Sequence, residues 1–101
     1  MNTKENESTH LTSLLKRAID TYGEDAQILM TIEECSELIN AITKLYRGRV
    51  DEKAITTELA DVYIMVQQMA LIFGEDDFKK EVEYKLNRLE ERLNKHGRKE
   101  K

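Results

Sequence analysis

The sequence has no proline, no tryptophan, four glycines and one cysteine. Proline and glycine most often interrupt regular secondary structure, so their scarcity leaves few chain breaks and favours long helices. The single cysteine, Cys35, excludes an internal disulfide. With two distant histidines, it also lacks the ligand spacing of a zinc site. Covalent and zinc cross-links are therefore absent from the predicted fold.

Long apolar runs and an excess of positive charge are missing as well. No segment approaches the roughly 20 apolar residues of a membrane span. The first ten residues, MNTKENESTH, are polar and lack the apolar region of a signal peptide. The formal net charge is −4 with acids and bases intermixed, which argues against a nucleic-acid-binding or anionic-membrane-binding surface. We therefore expect a cytoplasmic protein that binds neither nucleic acid nor membrane.

The residues that are present predict an all-α fold. Glu, Lys, Leu, Ile and Ala are abundant, and all of them favour helices over strands. Apolar residues recur at helical spacing in four segments, which are separated by Gly23, Gly48 and Gly74. The first helix should be short, and the other three long. The expected helices cover about residues 9–22, 24–47, 51–73 and 75–95.

These segments form one small domain, because the chain has 101 residues. We expect a disordered N-terminal segment over residues 1–8, a helical domain over 9–95 and a disordered basic tail over 96–101. Short connections favour antiparallel neighbours, so the fold is an antiparallel bundle of about four helices. The third helix is apolar nearly all the way round, and three other helices cannot cover it. The sequence therefore predicts a homo-oligomer.

Four carboxylates interrupt the amphipathic pattern of the second and third helices. On a helical wheel, Glu34 falls inside the apolar arc of the second helix and Glu37 lies at the edge of its polar arc. In the third helix, Glu58 falls inside the apolar arc and Asp61 lies at its margin. Each pair is spaced i, i+3, so its two side chains project from one helical face. Each pair can therefore share a ligand.

Folding the two helices back on each other about residues 48–50 brings all four acids together. We expect Glu37 to lie level with Asp61, with Glu34 and Glu58 about one turn away on either side. Two like charges about 4 Å apart repel by on the order of 4 kcal/mol at an effective dielectric near 20, so cations or protons must neutralise them. An all-oxygen cluster favours hard ions, magnesium above all, with manganese as an alternative.

These motifs resemble a known enzyme family. EECSE at 33–37, followed by ELAD at 58–61, is similar to the Glu-Glu-x-x-Glu and Glu-x-x-Asp signature of the MazG-like, all-α nucleoside triphosphate pyrophosphohydrolases. The resemblance spans residues 22–93. Over this range the sequence looks especially like the short, single-domain versions carried by phages and prophages. The resemblance implies a magnesium-dependent enzyme that cleaves a nucleoside or deoxynucleoside triphosphate between its α- and β-phosphates. The products would be the monophosphate and pyrophosphate, and the assembly a dimer or tetramer.

The resemblance also implies roles for individual acids. It assigns metal binding to Glu34, Glu37, Glu58 and Asp61, the same four residues that the helical wheel selects. Glu33 lies outside this cluster and receives only a supporting role. Either Glu37 or Glu34 is the candidate that orients or deprotonates the attacking water.

Candidate substrate contacts lie on the fourth and second helices. Lys85 and Arg88 are spaced i, i+3 beside a leucine stripe, and the family often places Lys, Asn and Arg in this region. Lys85, Arg88 and Asn87 are therefore candidates for binding the phosphates. Gln27 lies one heptad before Glu34 on the same face and is a candidate for contact with the nucleotide.

Two other functions fit the same residues. In one, the acids form ion pairs with bases of the fourth helix or of another subunit, and the protein is a non-catalytic interaction module. In the other, the metal and nucleotide sites are kept but catalysis is lost, so that the protein acts as a sensor. An interaction module should show no dependence on a divalent ion, whereas the enzyme should. A sensor should bind magnesium and nucleotide without turnover, whereas the enzyme should hydrolyse the nucleotide.

Overall fold

A computed structural model describes residues 3–49 and 51–99. Within these ranges the chain is almost entirely helical and contains no strand. The predicted all-α class and the four helices are thus confirmed. None of the helices described is long and apolar enough to cross a membrane. The helices are α1 (Thr3–Tyr22), α2 (Glu24–Tyr46), α3 (Glu52–Phe73) and α4 (Glu75–Lys99).

Glycines separate the helices at the predicted positions. Gly23, Gly48 and Gly74 have φ angles of 93°, 79° and 131°, which L side chains rarely adopt. Each lies where one helix gives way to the next. The chain can therefore change direction sharply at these three points.

The turn between α2 and α3 is held by local hydrogen bonds. The backbone amide of Arg49 donates to the carbonyl oxygen of Lys44 at 3.0 Å. The Asp51 carboxylate accepts from the backbone amide of Ala54 at 3.1 Å and so caps the first turn of α3. These bonds fix where α2 ends and α3 begins, which makes the two helices a short-linked antiparallel pair.

Helices α2 and α3 form the most extensively packed pair, and α1 packs against both. The buried apolar side chains include Leu15 of α1 together with Met65 and Ala70 of α3. Two buried polar side chains, Gln27 and Gln68, lie in the same interior. The core is thin, as expected for a chain of this length.

Helix α4 projects from the other three. In the described part of the chain it contacts only α3. Its apolar stripe is exposed to solvent, with exposed fractions of 41% for Val82, 59% for Leu86, 51% for Leu89 and 61% for Leu93. The radius of gyration is 17.4 Å, compared with about 13 Å for a compact domain of this size. One chain thus packs three helices together and leaves the expected four-helix bundle unclosed.

The outer ends of α1 and α4 extend beyond the apolar pattern. Helix α1 has 20 residues rather than being short, and it includes residues 3–8, which the sequence analysis assigned to a disordered segment. Helix α4 reaches Lys99, inside the expected disordered tail. A stripe of apolar residues marks only part of a helix, because exposed polar turns without proline can continue it at either end. The first two and last two residues of the chain lie outside the described ranges.

Candidate active site

A buried hydrogen bond marks the register between α2 and α3. Gln27 Nε2 donates to Gln68 Oε1 at 2.6 Å. Gln27 lies ten residues before Glu37, and Gln68 lies ten residues after Glu58. Because the two helices are antiparallel and rise equally per residue, this contact places Glu37 level with Glu58.

The observed register corrects the one expected from the sequence. Glu37 lies level with Glu58 rather than with Asp61, and Glu34 takes the position level with Asp61. The difference is one helical turn. The expected register was counted outward from the turn between the helices, whereas the observed one depends on how the two helices pack along their whole length.

Three of the four predicted acids converge in this register. One carboxylate oxygen from each of Glu34, Glu37 and Glu58 lies within 4.8 Å of the other two. Asp61 is not part of this closest group, but its negative charge contributes to raising the pKa of both Glu34 and Glu58. The structure therefore places a three-carboxylate centre between α2 and α3, with Asp61 near enough to act on it electrostatically.

Two oxygens of this centre lack hydrogen-bond partners. Glu34 Oε2 and Glu58 Oε2 are shielded from solvent, and neither has a partner among the described residues. A buried carboxylate oxygen without a partner loses hydration and gains nothing in return. Several such oxygens at close spacing are suitable ligands for a hard divalent cation. The residues present therefore fit a magnesium or manganese ion.

The electrostatics of the centre are unfavourable for ionised acids. Partial burial is the largest cause of the raised pKa of Glu34, followed by the negative charges of Glu37 and Asp61. Partial burial also leads for Glu58, whose pKa is raised further by the charge of Glu37 and by hydrogen bonding with it. Protons and divalent cations therefore compete for the same oxygens.

A cavity of about 350 Å³ opens beside the centre, within the size range of small-molecule sites. It runs along α2 and α3 from Glu37 and Glu58 to the turn between the helices. Lys44 and Arg49 contribute two positive charges to its lining, and Asp51 contributes a negative charge near the turn. Its complete lining is Glu37, Asn40, Ala41, Lys44, Arg49, Asp51, Ala54 and Glu58.

Sequence reasoning missed these two bases as site residues. Lys44 lies seven residues after Glu37, so a heptad count from the acidic motif would have placed it on the same side of α2. No periodic pattern marks Arg49, which is positioned by the backbone of the turn. The basic end of the cavity thus depends on both a helical position and a loop position.

The substrate contacts expected on α4 lie apart from the acids in a single chain. Lys85, Asn87 and Arg88 do not line this cavity, and α4 has no contact with α2 in the described part of the structure. The Arg88 guanidinium instead lies 5.8 Å from the centre of the Tyr84 ring. Their role in phosphate binding stays a prediction.

The remaining candidate, Gln27, is enclosed between helices. Its side chain is 7% exposed, and its amide donates to Gln68. It therefore contacts α3 in this structure and does not line the cavity next to the acids.

Comparison with known proteins provides the family. A model of the MazG nucleotide pyrophosphohydrolase domain matches residues 23–96. The chain belongs to the MazG family. The matched range includes α2, α3 and most of α4, and it contains every acid of the centre. No curated protein and no solved structure matches the chain.

Membership of the MazG family confirms the resemblance stated from the two acidic motifs. It indicates a nucleotide pyrophosphohydrolase, acting on a nucleotide substrate. The MazG family is typically metal-dependent, which agrees with the three-carboxylate centre.

The raised pKa values predict an unusual dependence of stability on pH. In the range above the ordinary value of 4.5, the folded chain holds more protons on Glu34 and Glu58 than the unfolded chain does. Without divalent cations, the free energy of unfolding should therefore fall as pH rises from about 4.5 through the raised pKa values. Glu58→Gln should be more stable than wild type above this range and should show a shallower fall. Urea unfolding in a chelator, at one protein concentration across a pH series, measures both effects.

Glu91→Gln is the matched control, because it removes an exposed carboxylate of α4 that faces away from the leucine stripe. It should keep the wild-type slope. Equal slopes for wild type and Glu58→Gln would contradict the electrostatic account of the centre.

Proposed function

We propose that this protein is a magnesium-dependent nucleoside triphosphate pyrophosphohydrolase. It hydrolyses a nucleoside or deoxynucleoside triphosphate between the α- and β-phosphates and releases the monophosphate and pyrophosphate. The observation that supports this most directly is the convergence of Glu34, Glu37 and Glu58 in a chain of the MazG family.

The metal would be held by Glu34, Glu37 and Glu58, with Asp61 beside them. Their all-oxygen donor set suits magnesium, and manganese is the alternative. When bound, such an ion neutralises phosphate oxygens and makes a coordinated water more acidic. The two unpartnered oxygens of Glu34 and Glu58 are the strongest support for this assignment.

The three glutamates differ in their access to substrate. Glu37 is exposed and lines the cavity, whereas Glu34 and Glu58 are partly buried. Glu37 is therefore the better placed to orient the attacking water and accept its proton. Glu34, which does not line the cavity, serves as a metal ligand. Of the two candidates, we therefore propose Glu37 for this role.

Lys44 and Arg49 supply the positive charge that a triphosphate requires. A polyanion approaching three carboxylates is repelled unless cations are present on its path. Charge-assisted hydrogen bonds from the two bases can hold the phosphate chain along the cavity. Holding the chain in one direction also fixes which phosphorus atom faces the water, as in-line displacement requires.

We further propose that the protein is a homo-oligomer whose α4 stripes contact a second copy. A contiguous stripe of exposed leucines on a projecting helix is typical of a surface that another molecule covers. Helix α3 is also incompletely covered, since Leu59 and Tyr63 are 51% and 58% exposed. In such an oligomer, Lys85 and Arg88 of one copy would contact the acidic centre of another.

Of the ion-pair alternative, the form with pairing inside one chain has the least support, whereas pairing with a second copy is left to experiment. An acidic seam neutralised by bases of α4 within one chain requires those bases to reach the centre, yet α4 has no contact with α2 in the described part of the chain. The unpartnered oxygens of Glu34 and Glu58 argue in the same direction. A nucleotide sensor with a metal site but no turnover is distinguished from the enzyme only by assay.

Glu58→Ala should abolish magnesium-dependent pyrophosphate release. The substitution removes a central metal ligand, so the rate should fall by about a hundredfold or more. The assay is pyrophosphate release from a panel of ribo- and deoxynucleoside triphosphates, with magnesium and with a chelator. Glu91→Ala, on the exposed face of α4, should retain full activity.

Release that does not require magnesium, or that survives in Glu58→Ala, would refute the assignment of the site. If no nucleotide is cleaved while magnesium still raises the melting temperature, the protein is a sensor.

Lys44→Ala should raise KM more than it lowers kcat. The loss of one charge-assisted contact to the phosphates should weaken substrate binding by about tenfold. Steady-state kinetics on the best substrate of the panel measures this split. Lys80→Ala, which removes an exposed lysine of α4 outside the cavity, is the control. An unchanged KM in Lys44→Ala would remove Lys44 from the phosphate site.

Leu89→Glu should reduce the oligomer to single chains. A charge in the middle of the α4 stripe is costly to bury against a second copy. Sedimentation equilibrium at micromolar concentration gives the mass of each species. Glu91→Lys, a charge change on the opposite face of α4, should leave the assembly intact. A wild-type protein that sediments as a single chain would contradict the oligomer.

A further inference from the structure

We infer that Gln27 and Gln68 are positioning residues that hold α2 and α3 in the register needed for Glu34, Glu37 and Glu58 to converge. This inference rests on the metal site of the proposed function. It assigns a purpose to a buried polar pair that does not touch the cavity.

The pair is unusual for the interior of a small domain. Gln27 is 7% exposed and Gln68 is 3% exposed, in a core that otherwise contains apolar side chains such as Leu15 and Met65. Glutamine is mostly found at the surface. Two amides stripped of water gain little net stability from bonding to each other, and apolar side chains of the same shape would pack about as well. Stability alone therefore does not explain the pair.

A need to select one register between α2 and α3 does explain the buried pair. Antiparallel helices with apolar faces can also pack when shifted by one turn, because ridges three and four residues apart repeat along each helix. Four residues on either side of Gln68, α3 presents Ile64 and Ile72. In either shifted register Gln27 would face an apolar side chain and its amide would be buried unpaired. A single buried polar contact is a known means of fixing helix register.

The acidic centre needs such a constraint. A shift of one turn moves α2 against α3 by about 5.4 Å. Glu37 would then lie level with Asp61 or Ile55 rather than with Glu58, and the three carboxylate oxygens that lie within 4.8 Å of one another would separate. The ionised glutamates also repel one another when no cation is bound, so their close approach needs support from contacts elsewhere along the two helices. The glutamine pair opposes the shift from ten residues away along both helices.

The test is the double variant Q27M/Q68M. Methionine is similar to glutamine in length and shape, so the variant removes both amides and leaves no unpaired polar group. Two quantities are measured on the full chain. The first is the melting temperature in the presence of a chelator, and the second is the affinity for Mn²⁺, determined by titration calorimetry. We expect a melting temperature within a few degrees of wild type and an Mn²⁺ affinity reduced by about tenfold or more.

A matched control changes another buried side chain outside the α2–α3 contact. Leu15→Met alters the core at α1 and should keep the wild-type Mn²⁺ affinity. Loss of affinity in this control as well would mean that any core change disturbs the centre, and the positioning role would be rejected.

Two single variants of Gln68 test whether a conservative replacement preserves the Mn²⁺ affinity. They also serve as the test if the double variant does not fold. Q68E keeps an oxygen that can accept from Gln27 Nε2 and should retain Mn²⁺ affinity. Q68M leaves the Gln27 amide unpaired and should lose it. Equal loss in both variants would overturn the inference.

The remaining outcomes distinguish failure of the positioning role from failure of the metal site. If wild type binds Mn²⁺ and Q27M/Q68M binds it equally well, the positioning role is refuted and the metal site stands. If wild type binds no Mn²⁺, the metal site is refuted and the positioning role with it.

Discussion

Mutual repulsion among carboxylates at the α2–α3 contact is the constraint on which the rest of this structure depends. Glu34, Glu37 and Glu58 approach within 4.8 Å, and two of their oxygens are shielded without a partner. Such an arrangement weakens a small domain unless a ligand compensates for it. Proton uptake compensates in part, as the raised pKa values of Glu34 and Glu58 indicate. The divalent cation that we propose would compensate more completely. In this account the repulsion among the ionised acids and the proposed affinity of the centre for a divalent cation have the same cause.

The surrounding fold both imposes this arrangement and leaves room for substrate. The capped turn at Asp51 makes α2 and α3 antiparallel, and the buried bond between Gln27 and Gln68 lies far along the same pair. Toward the turn the helices enclose a cavity that Glu37 and Glu58 line at one end, while Lys44 and Arg49 lie with Asp51 at the other. Opposite charges thus lie along one path, as binding of a metal–nucleotide complex requires. Helix α4 takes no part in this cavity, and its exposed stripe is available for a second copy.

The sequence predicted the fold class, the glycine boundaries and the acids because each depends on local chemistry. A breaker residue ends a helix wherever it stands, and Glu34 and Glu58 fall on apolar arcs whatever the partner helix. The relative height of the two helices was predicted wrongly by one turn, because register depends on packing between distant residues such as Gln27 and Gln68. The projection of α4 was missed for a related reason, since an apolar stripe does not show which surface, if any, packs against it. Arg49 went unnoticed because a loop, which has no period, positions it.

Anomalous diffraction from crystals grown with Mn²⁺ would test the central claim most directly. At the manganese absorption edge, the account predicts a strong peak bounded by oxygens of Glu34, Glu37 and Glu58, with Glu37 level with Glu58. The account would be contradicted if no anomalous peak appeared and a lysine or arginine of a second copy occupied the same position. The acids would then form ion pairs instead of a metal site.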